Sequence, residues 1–287
     1  MTRFEIIRSQ VSTRYALSVY LPASRFARAA KGLSRKLRGR SASTVRTALP
    51  QVAWHQAFPR RQFHLVETGR AFGNVNLSEL AVLALAAAYT RPGTEIVEIG
   101  TFDGRTALNF AANAPSGVAI LTLDLPPDEP TAFAIDLAER RFVDKPQSGA
   151  RLQACRDSMK PIAARVTQAF GDSARYDWAP HVGRADLVFV DGSHAYDYVR
   201  ADSETAMRLV APGGVVMWHD YGIWPGVTKG LEEIETEWGL GLKNIRGTSL
   251  VVWRADTAAG HEARETLSVT PAKAEAFADR ADRSTDP

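Results

Sequence analysis

Cysteine is almost missing: Cys155 is the one thiol in 287 residues. That excludes an intramolecular disulfide and a cysteine-based zinc cluster, and it fits a reducing compartment. Also missing is any run of about 18 apolar residues, so no membrane-crossing helix is expected. No apolar stretch closed by a small-residue cleavage site lies near the start, so a secretory leader is not expected and a cytoplasmic location is. No internal repeat is apparent. Acidic residues are scarce at one end only: residues 1–70 hold 14 Lys/Arg against 2 Asp/Glu, and the other 217 hold 21 against 30. The net charge of +3 therefore hides a basic head on an acidic body. Because the body has no basic stripe interleaved with aromatics, no nucleic-acid partner is expected.

What the chain does have is enough apolar residue, 45%, to bury the core of one catalytic-size domain with extensions. Its organising stretch is Thr94-Glu95-Ile96-Val97-Glu98-Ile99-Gly100-Thr101-Phe102-Asp103-Gly104-Arg105. A short apolar strand runs here into a glycine-bracketed turn and then a helical segment. Glycine at such a turn lets the backbone bend sharply and approach a ligand that a Cβ would block. The dinucleotide fingerprint spaces its glycines to wrap a pyrophosphate. Here the spacing is Gly100-x-x-x-Gly104, with Glu98 ending the strand and Asp103 inside the turn. Carboxylates repel a pyrophosphate and suit a ligand that carries an ammonium and a sulfonium.

Ahead of this corner, Phe26, Ala29, Ala30, Leu33 and Leu37 recur at helical spacing among cations in residues 25–38, which reads as a basic amphipathic helix. Three roles stay open for it: contact with an anionic membrane surface, docking on the acidic body of its own or a partner chain, including a second copy in a homo-oligomer, or a solvated extension. Residues 51–76, with Trp54, Phe58, Phe63 and Phe72, read as an ordered lead-in that packs on the domain or covers its site. Asn76 and Glu79 have the spacing of a capping box and open an Ala/Leu-rich helix that stops before Pro92.

Strands and helices then alternate. Strands are expected near 95–101, 118–125, 165–170, 185–190 and 214–219, with a final pair near 242–246 and 249–254, and the clearest helices at 196–210 and 227–238. The fold class is therefore α/β, a doubly wound, seven-stranded, mostly parallel sheet closed by an antiparallel hairpin at Gly247-Thr248. Residues 126–130 and 142–161 read as loops around a ligand mouth, and 256–287 as a tail. The expected division is a basic extension and lead-in over 1–76, a catalytic domain over 77–255 and that tail.

In a doubly wound sheet the ligand sits outside the carboxyl ends of the strands. Polar residues gather at those ends: Glu98 and Gly100, Asp124, Asp172 and Ser173, Asp191 and His194, and His219 and Asp220. Asp124, 26 residues after Glu98, is placed to accept both hydroxyls of a ribose. Asp172-Ser173 is placed to hold an adenine amino group, to cap the next helix, or both.

With Glu98-Ile99-Gly100-Thr101-Phe102-Asp103-Gly104, two further stretches carry a resemblance. They are Asp186-Leu187-Val188-Phe189-Val190-Asp191-Gly192-Ser193-His194-Ala195-Tyr196 and Ala211-Pro212-Gly213-Gly214-Val215-Val216-Met217-Trp218-His219-Asp220-Tyr221. Over about residues 77–255 the chain resembles the macrocin O-methyltransferase and cephalosporin-hydroxylase-like bacterial family, within the class I S-adenosylmethionine-dependent methyltransferases. The resemblance implies a Rossmann-like methyltransferase fold, S-adenosylmethionine as cofactor, O-methylation of a small-molecule acceptor such as a sugar or secondary metabolite, and often a divalent metal. It implies a cofactor site of Glu98, Gly100, Thr101, Asp103, Gly104, Asp124, Asp172 and Ser173. More distant catechol O-methyltransferase-like relatives hold a metal with acids at the ends of strands 4 and 5. Asp191 and Asp220 match those positions, and His219 stands where those relatives often have a carboxylate. The hydroxyl-activating device then has two readings. One is Mg²⁺ or Mn²⁺ on Asp191, His219 and Asp220, harder ions that suit carboxylates and water. The other is metal-free base catalysis by His219 or His194, with Asp191 on the cofactor's ammonium. Rival functions are a non-catalytic binding scaffold and a nucleotide-cofactor oxidoreductase.

Overall fold

Apolar runs without alternation build the centre of the sheet. β2 (Glu95–Ile99) and β5 (Ala185–Val190) are buried along their whole length, as parallel strands covered on both faces must be. The computed structural model describes residues 47–255 apart from 60, 70, 72, 136, 145–147 and 156. Within them lie also β1 (Gln51–Val52), β3 (Ala119–Asp124), β4 (Val166–Phe170), β6 (Val210–Trp218), β7 (Lys243–Ile245) and β8 (Val251–Arg254). All eight form one sheet in the order β1-β7-β8-β6-β5-β2-β3-β4. β4, β3, β2, β5 and β6 run parallel, while β8 runs antiparallel to both β6 and β7. The direction of winding reverses between β2 and β5, so their carboxyl ends splay open a crevice.

The longer helices are α1 (Leu77–Ala87), α2 (Arg105–Asn113), α3 (Leu137–Val143), α4 (Tyr196–Leu209) and α5 (Pro225–Trp238); all but α3, which buries only Glu139, contribute to the core against the sheet. Successive strand residues point to opposite faces, and the two core layers follow that alternation. Ile96 and Leu187 pack with Leu80, Leu83 and Phe110, whereas Val97 and Val188 pack with Val199, Met207 and Leu231.

The capping box forms as expected. Asn76 Oδ1 accepts from the Ser78 and Glu79 amides at 3.0 and 3.1 Å, and the Asn76 amide donates back to Glu79 Oε2 at 3.0 Å. Glu79 does more than cap. Its Oε1 accepts from the Ser249 amide and hydroxyl at 2.8 and 2.9 Å, and Oε2 lies 3.2 Å from His219 Nε2. One carboxylate thus ties the start of α1, the end of β6 and the turn between β7 and β8. Burial alone would raise its pKa, but the charge and hydrogen bond of His219, with the Ser249 and Asn76 amides, lower it to about 2.

The sheet has one strand more than the seven expected. β1 is two residues long and pairs with β7 through Gln51–Asn244 and Val52–Ile245, too short to show any period. Trp54, Phe58 and Phe63 of the lead-in are buried as expected, while Phe72, the basic segment at 25–38 and the tail at 256–287 lie outside the described residues. The stretch 142–161, read as loop, contains the end of α3 and helical turns at Ala150–Gln153, Asp157–Met159 and Lys160–Ala163. Each is too brief for periodicity to register. No described helix is long and apolar enough to cross a membrane.

Truncating a buried charge's partner costs roughly 3–5 kcal/mol, because the remaining group is left uncompensated. Glu79→Ala is therefore expected to lower the unfolding free energy by about that amount in a urea titration, with Glu79→Gln losing less. A loss below about 1 kcal/mol for the alanine variant would contradict the role assigned to this carboxylate.

Candidate active site

The corner after β2 is shaped by close backbone approach. Gly100 has φ +102°, and a Cβ placed on it would lie 2.2 Å from the Asp191 carbonyl oxygen. Only glycine fits where these two strand ends cross. Gly104, at φ +85°, is the N-cap of α2. Phe102 and Asp220, at φ +50° and +65°, hold the left-handed region without being glycine, strain of the kind that collects at ligand sites.

Glu98 is buried at the centre of this corner. Thr122 Oγ1 donates to its Oε2 at 2.5 Å, and Thr101 Oγ1 lies 2.7 Å from Thr122 Oγ1. Burial pushes the Glu98 carboxyl well above its usual range, and the charges of Asp191, Asp124 and Asp103 push it further. No cation is among the groups acting on it, so a ligand bringing positive charge would relieve the strain. Asp103 is placed differently from the expectation of a ligand-facing acid: it pairs with Arg151 Nε at 2.8 Å and accepts from the Arg105 amide at 3.0 Å. Arg105 is fully buried and binds the carbonyls of Glu67 and Val75 at 2.8 Å and of Thr68 at 3.3 Å. Through it, α2 straps the lead-in over the corner.

Further along the sheet edge, Ser148 Oγ donates to Asp124 Oδ2. Asp172 caps its turn by accepting from the Ala174 amide at 3.0 Å, and its other oxygen accepts from the Ala132 amide at 2.5 Å. The Ser173 carbonyl accepts from Trp178 Nε1 at 2.9 Å. A crevice runs past Gly100, Leu123, Asp172, Ser173, Gly192 and Tyr198, and Glu139 and Phe142 of α3 also line it.

At the ends of β5 and β6, Asp191, His219 and Asp220 converge, each offering a ligand atom within 4.8 Å of the others. His219 Nδ1 lies 2.9 Å from Asp191 Oδ1 and 3.4 Å from Asp220 Oδ1. His194 lies between two acids, with Nε2 2.7 Å from Asp220 Oδ2 and Nδ1 2.8 Å from Glu139 Oε1. Its ring stacks on Trp224 at 4.3 Å. Burial would lower both imidazole pKa values, but the flanking carboxylates outweigh it. Asp220 and Glu139 lift His194 to about 9, and Asp191, Asp220 and Glu79 lift His219 well above its usual value.

Of the strand-end residues singled out from the sequence, Gly100, Asp172, Ser173 and His194 line this crevice, Asp191, His219 and Asp220 gather with one another, and Asp103 is engaged by Arg151. Three positions escaped sequence reading. Glu79 showed itself only as a cap. Glu139, buried, accepts from the Ser193 hydroxyl at 2.8 Å and the His194 amide at 2.7 Å, and nothing in its seven-residue helix marks it. Arg105 looked like an ordinary first-turn cation.

Residues 97–221 match a family described as a methyltransferase domain, which fits the strand order and the acid-and-glycine corner. The matched segment runs from within β2 to just past β6, the parallel part of the Rossmann-like sheet. No curated protein matches the chain. Among solved structures it is similar to the O-methyltransferase TomG of Streptomyces achromogenes, in complex with SAM, at 19% identity and TM-score 0.44, covering 63% of this chain and 81% of that one. It is similar also to an O-methyltransferase of Bacillus cereus in complex with SAH, at 18% identity and TM-score 0.43, covering 64% and 84%.

A Cβ at residue 100 has no room and an unfavourable φ, so Gly100→Ala is expected to cost roughly 2 kcal/mol or more. Thermal unfolding should show a lowered midpoint. A midpoint equal to the parent's would mean that the corner is looser than its geometry indicates.

Proposed function

We propose that this chain is an S-adenosylmethionine-dependent O-methyltransferase acting on a hydroxyl of a small molecule. The observation that carries the reading is the acid-and-glycine corner at the end of β2, where Glu98 is buried beside Gly100 with no cation among the groups acting on it, inside the segment that matches a methyltransferase domain. A pyrophosphate-bearing cofactor would add negative charge to this corner. An ammonium and a sulfonium bring the opposite sign.

When bound, S-adenosylmethionine supplies an electrophilic methyl group on sulfur. The chain's residues hold it. Glu98 would face the ammonium, Asp124 would accept from the ribose hydroxyls, and the Asp172–Ser173 turn would take the base. Gly100 lets the backbone lie against the ligand. Transfer is an in-line displacement at carbon, so fixing donor and acceptor near contact distance contributes several kcal/mol.

An acceptor hydroxyl must also lose its proton. Both ring nitrogens of His219 and of His194 face carboxylates, which leaves neither ring turned toward an acceptor as a ready base. Two carboxylates and an imidazole within 4.8 Å instead form a donor set that fits a hard divalent cation, Mg²⁺ or Mn²⁺, with Nδ1 of His219 giving up its hydrogen. Such an ion supplies Lewis acidity that lowers the hydroxyl's pKa. Asp191, His219 and Asp220 would hold it, and Glu79 orients the His219 ring from behind.

The test is release of S-adenosylhomocysteine across a panel of hydroxylated acceptors, run after chelation and dialysis and again with added Mg²⁺ or Mn²⁺. Activity should fall at least about tenfold in chelator and return with metal, and Asp220→Asn should cost about as much. Full activity in chelator would remove the metal reading, and His219→Ala should then matter more than Asp220→Asn.

A further inference from the structure

α4 carries an acid that the proposed reaction does not use. Asp202 is 1% exposed, and neither carboxylate oxygen meets hydrogen-bond geometry with a described group. It neighbours Gly192 and Ser173, two residues that line the crevice. Its Oδ2 sits 3.3 Å from where a Cβ on Gly192 would stand. The Ser173 hydroxyl faces it, and the charge acting on it is that of Asp172. Tyr198, one turn earlier on α4, lines the crevice and is itself turned toward Asp172. No lysine, arginine or histidine is among the groups acting on Asp202. A buried carboxylate with no cation beside it is among the costliest groups to keep charged, and it escapes that cost by holding its proton.

Protonation decides the direction of the contact with Ser173. A carboxylic acid donates to the serine oxygen and leaves the serine hydrogen to point into the crevice. A carboxylate only accepts, so it turns that hydrogen away from the crevice and sets a second negative charge beside Asp172. We propose that Asp202 is a positioning residue: as an uncharged acid it holds the Asp172–Ser173 turn in its ligand-binding state, and on ionisation it weakens the grip on the cofactor's base.

This rests on the cofactor reading given above. Burial, with the Asp172 charge adding, moves the Asp202 carboxyl from 3.8 to about 7. The protonated native form thus prevails below neutrality. Affinity is therefore expected to be full below about pH 7 and to fall as pH rises through it. The polar groups acting on Asp202 are Asp172 and Ser173.

The experiment is calorimetric titration of the full chain with S-adenosylhomocysteine between about pH 6 and pH 8.5. The parent protein should weaken about fivefold or more across that range, since each unit by which the ligand raises the acid's pKa is worth about tenfold. Asp202→Asn, which keeps a donor and cannot ionise, should stay within about twofold. Ser173→Ala should bind at about pH 6 as weakly as the parent does at pH 8.5, with a flattened profile, and it decides the matter if the Asp202 variant fails to fold. A pH-independent parent, or variants that keep the parent's slope, would overturn the inference alone. Absence of binding at every pH would overturn the cofactor reading with it.

Discussion

A single buried carboxylate fixes how this site can be assembled. Glu79 begins on a helix that sequence reading treats as plain scaffold, yet its two oxygens receive the Asn76 amide, the Ser249 amide and hydroxyl, and the His219 ring. Ionised and without access to water, such a group is tolerable only if every lone pair is met. That requirement locks three separate pieces of chain into one arrangement. With Nε2 of His219 held from behind, Nδ1 has to face Asp191 and Asp220. The packing of α1 and the geometry of the reactive end of β6 are therefore one constraint.

Charge follows from the same placement. Glu79, Glu139, Asp191 and Asp220 surround two imidazoles, and Glu98, Asp124 and Asp103 stand along the neighbouring strand ends. The paired part of this cluster is balanced by holding protons on His194 and His219. The unpaired part, at Glu98, is balanced by holding a proton on the acid itself. The first ties the imidazoles to their acids, and the second leaves Glu98 with no cation among the groups acting on it. The strain at Phe102 and Asp220 marks the two turns that bring these groups together.

The strand order was legible because buried parallel strands announce themselves as apolar runs, and because a glycine or acid closes each one. Gly100 could be read as a close-approach position before its neighbour was known, and the structure supplies that neighbour as the Asp191 carbonyl. Asp191, His219 and Asp220 could be paired from sequence because β5 and β6 are adjacent. What escaped was long-range. Glu79 and His219 lie 140 residues apart, and no local pattern reports a contact that only the closed fold creates. Glu139 sits on a seven-residue helix between two turn-rich stretches, where periodicity has nothing to act on. Asp103 differs for the opposite reason: its motif position points to a ligand, and Arg151, from the short helical turn Ala150–Gln153, pairs with it.

The central claim is that the crevice is built for a cationic adenosyl cofactor, and the most direct measurement is calorimetry of the full chain with S-adenosylmethionine and, separately, with NAD. The account predicts saturable one-to-one binding of S-adenosylmethionine and none of NAD at the same concentrations. Binding of NAD alone would contradict it, because a pyrophosphate would then have settled against Glu98, Asp191 and Asp124.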